Sequence, residues 1–374
     1  MKKIGMVTYH SAYNFGSVLQ AYATQKVLED LGYYARILNY RMKSQDEYYG
    51  IIHIHSGIKN FLRDLVRIPF VLSYIRRKHR FEKFISNLDL TEKFSEPENA
   101  KDFSNSFDIF ISGSDQVWNK HSNELKFVDW KYMYPYLLDF TEKKKISYAS
   151  SIVNMTDGEL KQISDKIKSF NAVSFREASS CERIFKLTGM QSEFVLDPTL
   201  LLTKQDWNNI VGKLPSKLKG KKYVLYYALE GIRDTNTNFL KLRRFARQHG
   251  YVIAMITPLS SCICDKYVYN MLGAGPAEFL SLINNAEMVI TNSYHGTLFS
   301  INFEVDFYTL RKLDSTDNRI SEVLSLFGLD DRIITNLDEI PYKLSKIDFS
   351  TAFRQRKIYT HKSVLYLRKA LGEL

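Results

Sequence analysis

Short apolar runs recur along the chain, each followed by a polar turn and then by a stretch with helical spacing. Such runs fit strands buried on both faces of a parallel sheet. Residues 3–8 form the first. A helix is expected from near Ser17, where Val18, Leu19, Tyr22, Ala23, Val27, Leu28 and Leu31 give a half-buried period and Gly32 stops it. Strands are predicted at 35–40, 107–112, 145–150, 172–177 and 194–198, with helices over 157–170 and from Ser179. A second series starts at 223–228. It continues through a helix at 240–249, a strand at 251–257, a helix at 276–285 and a strand at 288–291. A helix from Thr297, a strand at 306–310 and a helix at 319–327 complete it. Residues 203–222, with Pro215, Gly220 and several lysines, read as a linker between the two series. The expected class is α/β, with two Rossmann-like domains facing a cleft: 1–202, carrying a helical insertion at 42–105, and 223–350. Residues 351–374 form a basic terminal helix that packs through Val364, Leu365, Leu367 and Leu371.

In a doubly wound sheet the turn after each strand lies at the carboxyl edge, where ligands bind. The turn after 288–291 carries Asn292 and Ser293 as turn and cap residues, then His295 and Gly296. A helix start there suits a phosphate or carboxylate. Gly296 is expected to let a ligand approach the backbone, and His295 to hold a charge or pass a proton near neutral pH. The plain alternative is a capped turn with a hydrogen-bonded histidine. The loop 9–16 offers Asn14 and Gly16, with Gln20 one turn on; the dinucleotide fingerprint G-x-G-x-x-G is absent, which disfavours NAD. The loop 113–119 offers Asp115, Gln116 and Asn119 as hydroxyl partners, and Trp118 as either a stacking face or core. Arg176 and Asp197 end neighbouring strands and share this edge if the sheet is parallel; the alternative for Arg176 is a pair with Glu177 or a neighbouring surface acid. Arg319 opens a helix in another place that favours anions.

Charge changes the picture modestly. The formal net charge of +11 over 374 residues favours acidic partners such as phosphates, nucleotides or anionic lipid. Between 59 and 83, Lys59, Arg63, Arg67, Arg76, Arg77, Lys78, Arg80 and Lys83 alternate with apolar residues, and Pro69 breaks the run. This segment reads as helices with solvated basic faces, or as a peripheral contact with anionic membrane. No nucleic-acid module is present in the pattern. Cys181, Cys262 and Cys264 give an odd count, which argues for a reducing compartment. Met1-Lys2-Lys3 leads directly into a short apolar run, so no export signal is expected. The chain reads as cytoplasmic, at the inner face of the membrane if the basic segment touches lipid.

Four segments then stand together: Asn14-Phe-Gly-Ser-Val-Leu-Gln-Ala-Tyr-Ala23, Ser112-Gly-Ser-Asp-Gln-Val-Trp-Asn119, Asp197-Pro-Thr-Leu-Leu201 and Thr291-Asn-Ser-Tyr-His-Gly-Thr297. In this order and spacing they resemble the polysaccharide pyruvyl transferase family over nearly the whole chain. The resemblance implies a GT-B-like fold, with the C-terminal helix packing back on the first domain. It implies phosphoenolpyruvate as donor substrate and a lipid- or nucleotide-linked sugar as acceptor, in a cell-surface glycan or its precursor. The product would be a pyruvate ketal. No cofactor and no metal are implied. The resemblance makes Arg176 the candidate donor clamp and His295 the histidine before glycine. Many relatives have Ser-Arg-x-His-Gly in the last motif, whereas Ser293 stands here at the arginine's place. Arg319 or Arg311 would then have to supply that cation in space. Asn14, Gly16, Gln20, Asp115 and Gln116 fall on the acceptor side. The main rival is a glycosyltransferase of the same fold using a nucleotide sugar.

Overall fold

A computed structural model describes residues 1–49, 70–229, 232–257, 265–311 and 318–373. Lys59, Arg63, Arg67 and Pro69 of the basic segment, and Cys262 and Cys264, lie outside the described residues. In chain order the first half holds β1 (Lys3–Val7), α1 (Phe15–Asp30), β2 (Tyr34–Ile37), α2 (Lys43–Tyr48), α3 (Val71–Ile85), β3 (Ile109–Ser112), β4 (Lys144–Ser147), α4 (Asp157–Lys168), β5 (Ser174–Phe175), α5 (Ala178–Thr188) and β6 (Glu193–Phe194). The second half holds α6 (Lys204–Asn208), β7 (Tyr223–Tyr227), α7 (Ile232–Gln248), β8 (Val252–Ile256), β9 (Val268–Asn270), α8 (Pro276–Asn284), β10 (Met288–Thr291), α9 (Tyr294–Phe303), β11 (Phe307–Leu310), α10 (Arg319–Phe327), β12 (Ile333–Ile334) and α11 (Ser350–Leu371). They form two units. Unit 1 comprises Met1–Tyr49, Ile85–Leu202 and Arg354–Leu374; unit 2 comprises Gly50–Phe84 and Thr203–Phe353.

Unit 1 is built on a parallel sheet of order β2-β1-β3-β4, with Met6 opposite Ile37 and Val7 opposite Ser112. The short parallel pair β5–β6 joins it through isolated bridges such as Ser150 to Phe175. The core centres on Trp118, Phe110, Tyr136 and Phe175, all essentially inaccessible. Helix α1 is buried almost all round, not on one face as expected. Its polar side chains satisfy themselves: Thr24 Oγ1 donates to the Gln20 carbonyl and Gln25 Nε2 to that of Ala35, both at 2.8 Å. A polar group so bonded is buried at little cost. Helix α11 packs on this unit. The Leu196 amide donates to Ser363 Oγ (2.9 Å), and the Tyr366 hydroxyl donates to the Ser147 carbonyl (2.7 Å).

Unit 2 carries a parallel sheet of order β12-β11-β10-β7-β8-β9, with Thr291 opposite both Tyr227 and Thr309. Strand β7 is buried along its whole length, the mark of a central parallel strand. Two expectations about chain organisation change here. The stretch expected as a linker starts with a folded element: Thr203 and Asp206 make a capping box, and Trp207 is fully buried, its ring centre 4.8 Å from that of Phe299 in an edge-to-face contact. The large indole finds its cavity on unit 2. Helix α3, expected as part of an insertion in the first domain, also belongs to unit 2. Its Arg80 donates to the Gly273 carbonyl (2.7 Å) and pairs with Glu278 (3.2 Å). Residues Leu72, Ile75, Arg76 and Lys78 of this helix are exposed. Among the described residues no helix is long and apolar enough to cross a membrane.

Candidate functional site

The candidate residues fall into one group in each unit. In unit 2, β10 ends at Thr291 and α9 begins at Tyr294, three residues earlier than the apolar period suggested. Ser293 is the cap: its Oγ accepts the Gly296 amide at 3.3 Å, and its carbonyl accepts the Thr297 amide at 3.0 Å. His295 therefore sits in the first helical turn rather than in a loop before it. The amides of such a turn have no intrahelical acceptor and carry the positive end of the helix dipole. Asn292 Oδ1 accepts the Leu229 amide (2.6 Å), which ties this turn to the loop after β7. Thr291 Oγ1 donates to the Tyr227 carbonyl (2.6 Å) and accepts the Ser293 amide (3.0 Å).

Gly296 has a different task from the expected one. A Cβ there would stand 2.5 Å from Thr291 Oγ1 and 3.1 Å from Tyr227 Cδ1. Protein atoms already fill the space, so the glycine serves close packing of α9 on the sheet rather than ligand approach. The Arg319 guanidinium lies 5.7 Å from the centre of the Tyr294 ring, which meets the His295 ring edge-on at 5.2 Å. Arg319 thus brings a cation beside the start of α9. Arg311, the other replacement considered for the arginine absent at Ser293, donates to Asn318 Oδ1 (3.0 Å).

In unit 1, Asn14 caps α1, which begins at Phe15 rather than near Ser17; its Oδ1 accepts the Gly16 amide at 2.9 Å. Gln20 is wholly buried. Its Nε2 donates to Thr8 Oγ1 (2.7 Å) and to the Ser17 carbonyl (2.8 Å), so it pins the loop instead of reaching a ligand. Trp118 is core: it is inaccessible, its Nε1 donates to the Tyr136 carbonyl (2.8 Å), and it packs edge-on against Phe170 and Phe175. Gln116 Oε1 accepts from Asn119 Nδ2, while Tyr9 donates to the Gln116 carbonyl at 3.2 Å.

Arg176 is the main correction. Its side chain has no accessible surface, and three carboxylates take its donors: Asp197 at 2.8 Å, Asp115 at 3.0 Å and Glu177 at 3.3 Å. A guanidinium held in this way cannot reach forward to clamp a donor anion. It fixes Asp115 instead, which also accepts from Ser17 Oγ at 2.7 Å. Asp115 has φ +74, a left-handed conformation that a residue other than glycine adopts only when its surroundings hold it there. The preceding Gly113 has φ +111, and a Cβ on it would stand 2.2 Å from the Tyr148 carbonyl oxygen.

Glu124 and Tyr49 form a hydrogen-bonded pair in unit 1, and Tyr9 meets the nearby Ser122, although the sequence reading did not select them. The Tyr49 hydroxyl donates to Glu124 Oε1 at 2.8 Å, and the Tyr9 hydroxyl meets Ser122 Oγ at 2.9 Å. Burial pushes the Glu124 carboxyl up to about 7; the Tyr49 hydrogen bond opposes the shift and the Asp115 charge reinforces it. Only the polar spacing of Lys120–Lys126 was visible beforehand, and it looks like any surface loop. Among the described residues no cluster of His, Cys, Asp and Glu could hold a metal ion.

Comparison with curated proteins returns no match. Several solved structures share the fold. The S. aureus MnaA–UDP structure aligns over 100% of this chain and 98% of its own, with TM-score 0.56 and 9% identity. A UDP-N-acetylglucosamine 2-epimerase from Rickettsia bellii aligns over 96% and 88%, with TM-score 0.51 and 8% identity. The Methanocaldococcus jannaschii UDP-GlcNAc 2-epimerase, in complex with UDP-GlcNAc and UDP, aligns over 96% and 99%, with TM-score 0.50 and 11% identity. These likenesses show the GT-B arrangement of two Rossmann-like domains. The family model of the polysaccharide pyruvyl transferases matches residues 14–311, from the Asn14 cap of α1 past the His295 turn to the end of β11, and the chain belongs to that family.

Proposed function

We propose that the protein transfers the pyruvyl moiety of phosphoenolpyruvate to two hydroxyls of one sugar, forming a ketal and releasing phosphate. The sugar belongs to a cell-surface polysaccharide or its lipid- or nucleotide-linked precursor. The family match that includes the His295 turn carries this reading. The reaction balances without a cofactor. Of the two hydroxyl protons, one ends on the methylene carbon, making it a methyl group, and the other leaves on phosphate. The ketal carbon gives up its π bond to the methylene carbon and its bond to phosphate oxygen, and gains two bonds to sugar oxygens.

The donor carries a phosphate and a carboxylate, which need cations and oriented amides. The first turn of α9, with His295 and the neighbouring Arg319, has that character. Arg176 does not, because its donors are taken by carboxylates. We assign His295 to phosphate contact and proton transfer, Arg319 to the donor anion, and Asp115 with its surroundings to the acceptor hydroxyls. Arg176 is a positioning residue. The test is incubation with phosphoenolpyruvate and candidate glycans, read by mass spectrometry and phosphate release. A pyruvate ketal with stoichiometric phosphate supports the reading; nucleoside diphosphate released from a sugar nucleotide, with no ketal, replaces it by glycosyl transfer.

The outward face of α3, where Leu72 and Ile75 stand beside Arg76 and Lys78, is the place for a peripheral contact with anionic membrane. Neutralising Arg76 and Lys78 should weaken co-sedimentation with phosphatidylserine vesicles while turnover of a soluble acceptor persists. Unchanged sedimentation removes the membrane contact from the proposal.

A further inference from the structure

Unit 1 holds a cavity of about 250 Å³ that pyruvyl transfer as described does not use. Its lining includes Lys43 of α2, Glu96, Phe127, Asp129 and Tyr132, all from unit 1. Clefts for drug-sized ligands run to roughly 300–1,000 Å³, so this one suits a single small ring. The wall is firm. The Tyr132 carbonyl accepts from the buried Tyr40 hydroxyl at 3.2 Å, and the Tyr132 hydroxyl donates to Glu96 Oε2, also at 3.2 Å. The Phe127 ring is 78% exposed, with Lys126 Nζ 4.9 Å from its centre.

The two carboxylates of the lining leave aside the structural task their positions offer. Glu96 stands at the cap of the short turn Pro97–Phe103, and Asp129 at the cap of the turn Trp130–Leu137; neither side chain bonds a backbone amide there. An aspartate at a cap ordinarily accepts such an amide. Asp129 is exposed instead. Glu96 accepts from Tyr132 and stands 3.9 Å from the Lys43 ammonium, a pair whose side chains are 40% and 80% exposed. So exposed a pair contributes little. A carboxylate has about four acceptor sites, so both keep room for hydroxyl donors.

The charge of the lining selects the ligand. Two carboxylates face one ammonium, on a chain whose formal net charge is +11. A phosphate or a second carboxylate would meet repulsion here. A neutral pyranose meets none. Its adjacent hydroxyls donate to a carboxylate in paired, charge-assisted bonds, and its C–H face rests on aromatic rings.

We propose that this cavity binds one neutral hexopyranose, with Asp129 and Glu96 taking its hydroxyls and Phe127 and Tyr132 its apolar face. Its assignment to the acceptor glycan rests on the pyruvyl-transfer reading above; the sugar site itself does not. None of these residues belongs to the groups assigned to the reacting hydroxyls or the donor. The event is binding alone, with no bond made or broken.

The test uses the full chain carrying Phe127→Trp, which puts an indole at the cavity from an exposed position; a wild-type melting temperature checks that each variant is folded. The probes are the methyl glycosides of glucose, galactose, mannose and N-acetylglucosamine, with inorganic phosphate as anionic control and the wild-type fluorescence subtracted. At least one glycoside should give a saturable change in emission, and phosphate none. Adding Asp129→Asn with Glu96→Gln should weaken that titration at least about tenfold, because charge-assisted bonds become neutral ones. No saturable change with any glycoside, a change with phosphate alone, or a titration that the double substitution does not move overturns the inference while pyruvyl transfer stands. Glycoside binding here in a protein that forms no ketal from phosphoenolpyruvate upholds the sugar site and removes the pyruvyl-transfer reading.

Discussion

Gly296→Ala separates packing from ligand binding at the start of α9. The added methyl would meet Thr291 Oγ1 at 2.5 Å, Tyr227 Cδ1 at 3.1 Å and Thr291 Cβ at 3.2 Å. The threonine cannot swing aside cheaply, because its hydroxyl both donates to the Tyr227 carbonyl and accepts the Ser293 amide. Overpacking of this kind costs about 1–3 kcal/mol. Alanine's better helix propensity returns up to about 1 kcal/mol. With the full offset the balance is a loss of up to about 2 kcal/mol, or up to roughly 8 °C in Tm for a unit of this size. The measurement is thermal unfolding by calorimetry with no ligand added. A variant that melts at or above the wild-type temperature, but binds phosphoenolpyruvate more weakly, would refute the packing argument and restore the glycine as a point of ligand approach.

The other expectations concern charge. His295→Ala and His295→Gln should both lower kcat by about 10²–10⁴-fold, while Arg319→Ala should chiefly raise donor KM; near-normal kcat in His295→Gln would make the histidine a binding group only. Arg176→Met should destabilise the protein by about 3–5 kcal/mol in urea titrations, since it leaves buried carboxylates without their guanidinium; a wild-type midpoint would contradict that role. Glu124 has a folded pKa near 7, above the unfolded carboxyl value of 4.5. The native state therefore holds the extra proton, and the contribution is present below about pH 4.5 and lost as pH rises through about 7. Relative to Glu124→Gln, wild type should lose up to about 3 kcal/mol between these limits; parallel stability curves for the two proteins would count against the shifted carboxyl.

Most strands and helices were legible because continuous apolar runs leave parallel strands no other home; the edge strands β9 and β12, three and two residues long, were not among those expected. Element starts were less so. Tyr294 and His295 lack an apolar period, and the bonds from the Gly296 amide to Ser293 Oγ and from the Thr297 amide to the Ser293 carbonyl show that the helix has already begun. The role of Arg176 was hidden for another reason. Its partners Asp115 and Asp197 lie 61 and 21 residues away, and the inward aim of Asp115 depends on a left-handed backbone that composition does not reveal. Glu124 carried no signal, because a buried carboxyl and a solvated one look alike in a polar loop. Helix α3 was assigned by its place in the chain, whereas its contacts with Gly273 and Glu278 decide its unit.

The division of unit 1 into three chain segments bears on the order of events during synthesis. Domains fold as the chain emerges, beginning at the N-terminus. Here unit 2 has all its segments once Phe353 has been made, whereas unit 1 still lacks Arg354–Leu374. Until that helix arrives, the Leu196 amide and the Ser147 carbonyl wait for Ser363 and Tyr366. The unit that begins first is therefore completed last, and a ribosome-bound intermediate should protect unit 2 from protease before unit 1.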